Sequence, residues 1–385
     1  MELDAILAQG VALEASDVHL KVGLPPMFRT NGVLAPMNGA PVLGSEAMER
    51  LVNALLDDYH RAQFRERLQA DLSYATATLG RFRVNVFRQR GETSVALRII
   101  QPAIRTVREL NLPPVVERIA LERRGLVLVT GTTGSGKSTT LAAMIHHVNQ
   151  QRDRHIITIE DPIEYTHRDD KSIINQREIG YDARSFPEAL RGALRQDPDV
   201  ILVGEMRDLE TIETAILAAE TGHLVMSTLH TLDARETITR TIAAFPEHQR
   251  DQVRLILASV IRGIISQRLV RRADGKGMVP AVEVLLSTAL VRECIAVKER
   301  NHELPDAIAR GHATYGMQTF DQSLMALYRG SLITYEEAMA QASNPDDFAL
   351  KVRGIASTSD SRWDDFDKSE TPRSGQAAAF KINRF

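Results

Sequence analysis

The sequence predicts an α/β protein in two parts, a small N-terminal α/β module and a larger domain on a parallel sheet with a helical C-terminal part and a polar tail. Three observations carry this expectation. Residues 1–100 alternate apolar and polar side chains around turn signals, the period of strands. Beyond Leu112-Pro113-Pro114 short apolar runs alternate with amphipathic helical stretches, the pattern of strands joined by crossover helices. A glycine-rich turn separates the first such run from its helix.

In the N-terminal part, Val18, Leu20 and Val22 alternate with His19 and Lys21 as in a strand. Met27–Thr30 runs into Asn31-Gly32, a hairpin signal. Met48, Leu51, Val52, Leu55, Leu56 and Tyr59 follow helical spacing, with Ser45 as the expected N-cap. Strands are expected at Arg81–Arg88 and Thr93–Ile100 around the turn Gln89-Arg90-Gly91-Glu92. Residues 101–114, with Pro102 and the Leu112-Pro113-Pro114 cluster, read as a linker. The larger domain, 115–355, should place strands at Leu126–Thr130, Ile156–Ile159, Val200–Val203 and Leu224–Leu229. Helices are expected from Lys137, with Leu141, Met144, Ile145 and Val148 on one face, and from Asp208 to Gly222. Residues 246–355 read as mostly helical, and 356–385, rich in Ser, Asp, Gly and Arg, as disordered.

The 385 residues are 43% hydrophobic and 25% charged, enough for two packed domains and a tail. A net charge of −3 leaves no electrostatic footprint for nucleic acid, which weighs against a nucleic-acid motor. The single cysteine, Cys294, excludes an intrachain disulfide or a multi-cysteine metal site and reads as a small packing residue. There is no N-terminal apolar leader and no run of about 18 apolar residues, so a cytoplasmic protein is expected. The most apolar stretch, Leu255 to Ile265, is broken by Arg262 and reads as a buried helix.

The chemistry starts at Gly131-Thr132-Thr133-Gly134-Ser135-Gly136-Lys137-Ser138, a full G-x-x-x-x-G-K-[ST] match followed by Thr139. Its glycines let successive N–H groups turn toward phosphate oxygens, and the following helix adds its positive end. Lys137 can reach the β- and γ-phosphates of ATP, and the Ser138 hydroxyl can ligate Mg2+. The motif lies between an apolar strand and an amphipathic helix, which makes it a nucleotide site rather than a chance turn.

Ligands of an open parallel sheet bind outside the carboxyl ends of its strands. Three polar clusters fall there: Glu160-Asp161-Pro162-Ile163-Glu164, Gly204-Glu205-Met206-Arg207-Asp208, and His230. Hydrolysis needs one carboxylate to activate water and another to hold magnesium. Glu164 fits the first role and Glu205, behind an apolar run, the second, with Glu160 and Asp161 in support. For Asp161 and Asp208 helix capping competes evenly with function. His230 can sense the γ-phosphate, and His223, at the far end of the same strand, is a weaker candidate. On the polar face of the N-terminal strands, Arg83 and Arg98 should lie opposite each other, a repulsive pairing. Either that face is simply solvated, or the two arginines reach the nucleotide of a neighbouring subunit. An arginine so placed can add about 10³–10⁵ to the rate.

Together, Gly131–Ser138, Ile159–Glu164, Ile201–Asp208 and Ser227-Thr228-Leu229-His230-Thr231 resemble the secretion ATPase superfamily, and within it the type IV pilus retraction ATPases of the PilT/PilU group. Supporting stretches are Ala15–Leu20, Arg81–Asn85, Asn175–Glu178 and Gly316–Asp321, and the resemblance spans residues 2–355. It implies a PAS-like N-terminal domain and a RecA-like ATPase domain. It also implies a homohexameric ring, an inner-membrane platform protein as partner, and a peripheral place at that membrane. By motif position it makes Glu164 the catalytic glutamate, Glu205 the Walker B acid and His230 the His-box residue. Arg83 and Arg98 match the arginines that the superfamily offers across subunits. Two features depart from the principal motors: Leu290-Val291-Arg292 replaces an Ala-Ile-Arg element, and the extended C-terminus looks more like the accessory PilU branch, whereas the P-loop and Glu205-Met206-Arg207-Asp208 look more like the PilT branch. A paralogous retraction ATPase is therefore a further partner to consider. The rival readings are a pilus-assembly or type II secretion ATPase and a nucleotide-dependent regulatory binding module. Assembly and export ATPases usually carry a four-cysteine metal site, and this chain has one cysteine.

Overall fold

The computed structural model describes residues 2–30, 32–76, 78–100, 103–355, 363 and 366. The chain divides into two compact units, residues 1–104 with 161–167, and residues 105–160 with 168–385.

The smaller unit runs α1 (Leu3–Ala12), β1 (Asp17–Lys21), β2 (Met27–Thr30), β3 (Val33–Pro36), α2 (Ser45–Leu55), α3 (Asp58–Arg67), β4 (Gln69–Thr76), β5 (Gly80–Gln89) and β6 (Glu92–Ile100). Among the described residues its strands form one antiparallel sheet in the order β3-β2-β1-β6-β5-β4. The period-two pattern turns Val18, Leu20, Phe82, Val84, Val86, Val95 and Leu97 into one core with Ile6, Leu7, Met48 and Leu51. Thr30 pairs with Val33 across the expected hairpin, of which Asn31 lies outside the described residues. Two expectations about α2 are corrected. Ser45 is already helical, Gly44 stands at the cap, and the Ser45 hydroxyl faces the Glu92 carboxylate instead. Tyr59 is exposed on the next helix, because Asp57 accepts the His60 N–H and starts α3 afresh.

The larger unit begins with α4 (Val115–Ala120), β7 (Gly125–Thr130), α5 (Lys137–Gln151), β8 (His155–Glu160), β9 (Ile173–Glu178), α6 (Phe186–Ala193) and β10 (Val200–Val203). There follow α7 (Leu209–Glu220), β11 (Leu224–Leu229), α8 (Ala234–Ala243), α9 (Arg250–Val260), β12 (Ile261–Arg271) and β13 (Met278–Leu286). The helices α10 (Ala289–Ala296), α11 (Leu304–Arg310), α12 (His312–Tyr315), α13 (Phe320–Arg329), α14 (Tyr335–Gln341) and α15 (Pro345–Val352) complete it. Among the described residues the strand order is β13-β12-β7-β11-β10-β8-β9, parallel throughout except for the antiparallel edge strand β13. Every residue of β7, β10 and β11 is buried, because helices cover both faces of a parallel sheet.

The structure refines these expectations in several places. Leu255–Ile265 is not one helix: α9 stops at Val260 and β12 begins at Ile261. Its β-branched Ile261, Ile264 and Ile265 pair beside β7, and tertiary pairing decides a run that periodicity leaves ambiguous. The stretch from 246 to 355 is mostly helical as expected, but the β12–β13 hairpin interrupts it between α9 and α10. β9 was hidden by its polar sequence, as befits an edge strand. Val107 and Leu112, inside the stretch expected as linker, are buried in the core of the larger unit, while Gln101 and Pro102 lie outside the described residues. Of the tail 356–385, Trp363 and Phe366 are described, and both are buried beside Phe348, because aromatic area outweighs the polar composition around it.

Candidate active site

The turn from β7 into α5 is shaped around its backbone. Gly131 has φ +142°, and a Cβ there would collide with the Gln267 carbonyl oxygen, so only glycine fits. Gln267, on β12, donates to the Ser135 carbonyl at 2.6 Å and accepts from the Thr140 hydroxyl at 2.9 Å. One side chain thereby braces the turn and the first helical turn behind it. Thr132, Thr133, Gly134 and Ser138 are exposed, Gly136 and Thr139 are half-buried, and Gly136 closes the turn at φ +90°. Lys137 is buried, its Nζ donating to the Gly131 and Thr132 carbonyls at 2.9 Å each. The buried Ser135 hydroxyl makes no hydrogen bond among the described residues. An exposed cradle of N–H groups at the start of a 15-residue helix, with an ammonium beside it, fits a nucleotide polyphosphate.

The neighbouring strands end on the same rim. Thr130 pairs with Leu229, and Val203 pairs with both Ser227 and Ile159, so the residues after β7, β8, β10 and β11 follow aligned ends. The Ser227 hydroxyl donates to the Val203 carbonyl and the Thr228 hydroxyl to the Gly204 carbonyl, each at 2.7 Å. These bonds fix the turn that carries Glu205. Glu205 lies 2.6 Å from the Arg207 Nε and 3.8 Å from the His230 Nε2. Burial first, then the Lys137 cation, hold His230 below its ordinary pKa, so its imidazole is biased toward the neutral form. The structure thus brings Lys137, Glu205 and His230 into one electrostatic neighbourhood.

A family model described as Type II/IV secretion system protein matches residues 2–333. The chain belongs to this family. It is 43% identical to the type IV pilus retraction ATPase PilT of Pseudomonas aeruginosa over 348 residues, 90% of this chain and 100% of that one. To the type IV pilus ATPase PilU of the same organism it is 41% identical over 360 residues, 94% of this chain and 93% of the relative. A crystal structure of the pilus retraction motor PilT with bound ADP superposes with a TM-score of 0.83 at 46% identity, covering 90% of this chain and 98% of that one.

The remaining residues of this secretion-family chain fall into place unevenly. Asp208 is a cap: its carboxylate accepts from the Thr211 N–H at 2.8 Å and the Thr211 hydroxyl at 2.7 Å. Glu160 is tied to its own sheet by Thr158 at 2.6 Å and Gln176 at 3.2 Å. Asp161 and Glu164 lie in the segment 161–167, which groups with the smaller unit. His223 approaches the Ala218 carbonyl at 3.0 Å, which gives it a structural role at the start of β11. Arg83 and Arg98 do pair in register across β5 and β6. The Arg98 Nε donates to Asp17 at 3.0 Å, so its nearest anion comes from its own sheet. Arg83 is exposed and forms no salt bridge among the described residues. Sequence reasoning missed Gln267, which lies 132 positions from the carbonyl it braces. It also missed Arg207 as the partner of Glu205, although the spacing of two residues was a usable signal.

Proposed function

We propose that this chain is an ATP-hydrolysing motor of type IV pilus retraction. It would be cytoplasmic, working as a homohexamer held at the inner membrane through a platform protein. The carrying observation is the meeting of Glu205 and His230 at 3.8 Å on the rim that also holds the Lys137 turn. Similarity to PilT and PilU over nine-tenths of the chain supplies the kind of work.

Lys137 would exchange the Gly131 and Thr132 carbonyls for β- and γ-phosphate oxygens, and the backbone N–H groups of 132–138 would hold the rest of the polyphosphate. Magnesium, if held by Ser138 with Glu205 behind it, would neutralise charge on the phosphates. Ser138 is exposed at the start of α5 and Glu205, paired with Arg207, follows the end of β10 on the same rim, so the residue types present suit the ion. Neutral His230 can hydrogen-bond a γ-phosphate without adding charge and can report its loss. Glu164 is assigned as the base from its motif, with Arg83 and Arg98 as groups for a neighbouring subunit's nucleotide.

Steady-state turnover of ATP by the purified chain, with Lys137→Ala as control, tests the enzymatic reading. A chain that binds ATP yet does not hydrolyse it would instead be a regulatory module. Deleting the gene tests the work: loss of twitching with excess surface pili marks the main motor. Near-normal pili with weakened pulling mark an accessory motor.

A further inference from the structure

A single rung of the large sheet crosses four strands just before both functional turns. Leu229 pairs with Thr130, Thr130 with Ser266, and Ser266 with Glu283. The first two residues immediately precede His230 and Gly131, and the Thr130 hydroxyl donates to the Ser266 hydroxyl at 2.9 Å in the core. At the end of the rung Glu283, on the edge strand β13, is 93% removed from solvent and accepts the Ala234 N–H at 2.9 Å. Ala234 opens α8, four residues after His230. The turn between them is knitted to the same helix. Thr231 shares a hydroxyl contact with Thr237 at 2.6 Å, Glu236 accepts from the Leu232 N–H at 2.8 Å, and Asp233 caps the helix through the Glu236 N–H at 2.7 Å.

We propose that Glu283 is a positioning residue for ATP turnover: by holding the first N–H of α8 it fixes the turn that aims His230 at the nucleotide. The inference rests on reading His230 as the γ-phosphate contact. A carboxyl is an expensive choice for this place if only packing were needed. Its side chain makes no other hydrogen bond among the described residues and borders a cavity of about 200 Å³. The charged groups lining that cavity are Asp233 before α8, Arg235 of α8, Arg268 of β12, Asp321 of α13 and Asp347 of α15, while α11 adds Pro305 and Ile308. Arg268 is itself fixed, its guanidinium 4.0 Å over the Phe320 ring and donating to the Gln341 carbonyl. Burial, and the neighbouring Asp233 and Asp321, push the Glu283 carboxyl up to about 7. The α8 N–H and Arg268 oppose them.

The test is a double-mutant cycle on the full chain. Glu283→Ala should lower kcat about tenfold or more, since a displaced contact is felt strongly at the reacting phosphate, while ADP binding holds within about twofold. Glu283→Gln should stay within about threefold of the parent, because the amide oxygen can accept the same bond. In a His230→Ala background, read by single turnover at stoichiometric enzyme, Glu283→Ala should cost no more than about twofold. Trp363, the sole tryptophan, lines the same cavity and reports by its emission whether each variant is folded there. If the alanine variant does not fold, Glu283→Asp, one methylene short of the Ala234 N–H, should show the same loss. Parental kcat in the alanine or aspartate variant, or losses that multiply with His230→Ala, would overturn the proposal. If His230→Ala turns over normally, the sensor reading itself has failed. If His230→Ala is impaired and only the coupling is absent, the Glu283 assignment alone is lost.

Discussion

The two sheets dispose of polar side chains in opposite ways. The antiparallel sheet of the smaller unit has one apolar and one polar face, and its polar groups pair locally: Arg98 with Asp17, Asn85 with Asp71. The parallel sheet of the larger unit is buried on both faces at β7, β10 and β11, so chemistry has to sit beyond the strand ends. A charged residue in the first sheet therefore says little by itself. One that follows a strand in the second says a great deal.

The sharpest challenge to that contrast is Lys137→Ala. It should drop ATP turnover about 10³-fold or to background, since a preorganised donor on the phosphates is removed; an ATPase assay with calorimetric binding reads both effects. Glu205→Gln should cost about 10²-fold in kcat with smaller losses in nucleotide affinity, as expected of a charge placed where charge develops. The arginines of the first sheet give the weaker contrast. Arg83→Ala should reduce turnover of the assembled protein without altering nucleotide affinity or thermal stability. Arg98→Ala should add a stability loss of at most about 0.5–1 kcal/mol, since Asp17 keeps Ser16 and Arg29 as partners. Unchanged turnover in both would leave that face as solvated surface.

A further test is a pH dependence. Glu283 has its folded pKa raised from 4.5 to about 7, so its contribution to stability is full below about pH 4.5 and lost as pH rises through about 7. Against Glu283→Gln, the parent should lose up to about 3 kcal/mol between those limits, as a downward shift in unfolding temperature with rising pH.

Much of this was legible in the sequence because its signals are local. The P-loop, the strands β7, β8, β10 and β11, and the placement of Glu205 and His230 follow from short motifs behind apolar runs. The Arg83–Arg98 register followed from one turn. What stayed hidden depends on partners far along the chain. Ile261 could be helix or strand until β7 lay beside it, and Gln267 looks like any strand residue until its 132-residue reach to Ser135 is seen. Glu283 carries no motif at all; its meaning comes from the rung it shares with Ser266 and Thr130.

The aromatic pair near the C-terminus bears on how the protein is handled. Trp363 and Phe366 stack edge-on to each other, with Arg329 over the Phe366 ring and Lys351 over the Trp363 ring, thirty residues past the end of the family match. Trimming the chain at residue 355 would strip that cover and bare the Phe348 ring and the apolar bed of α13 to water. Such a shortened protein would be prone to self-association at that site, independent of any assembly of the full chain.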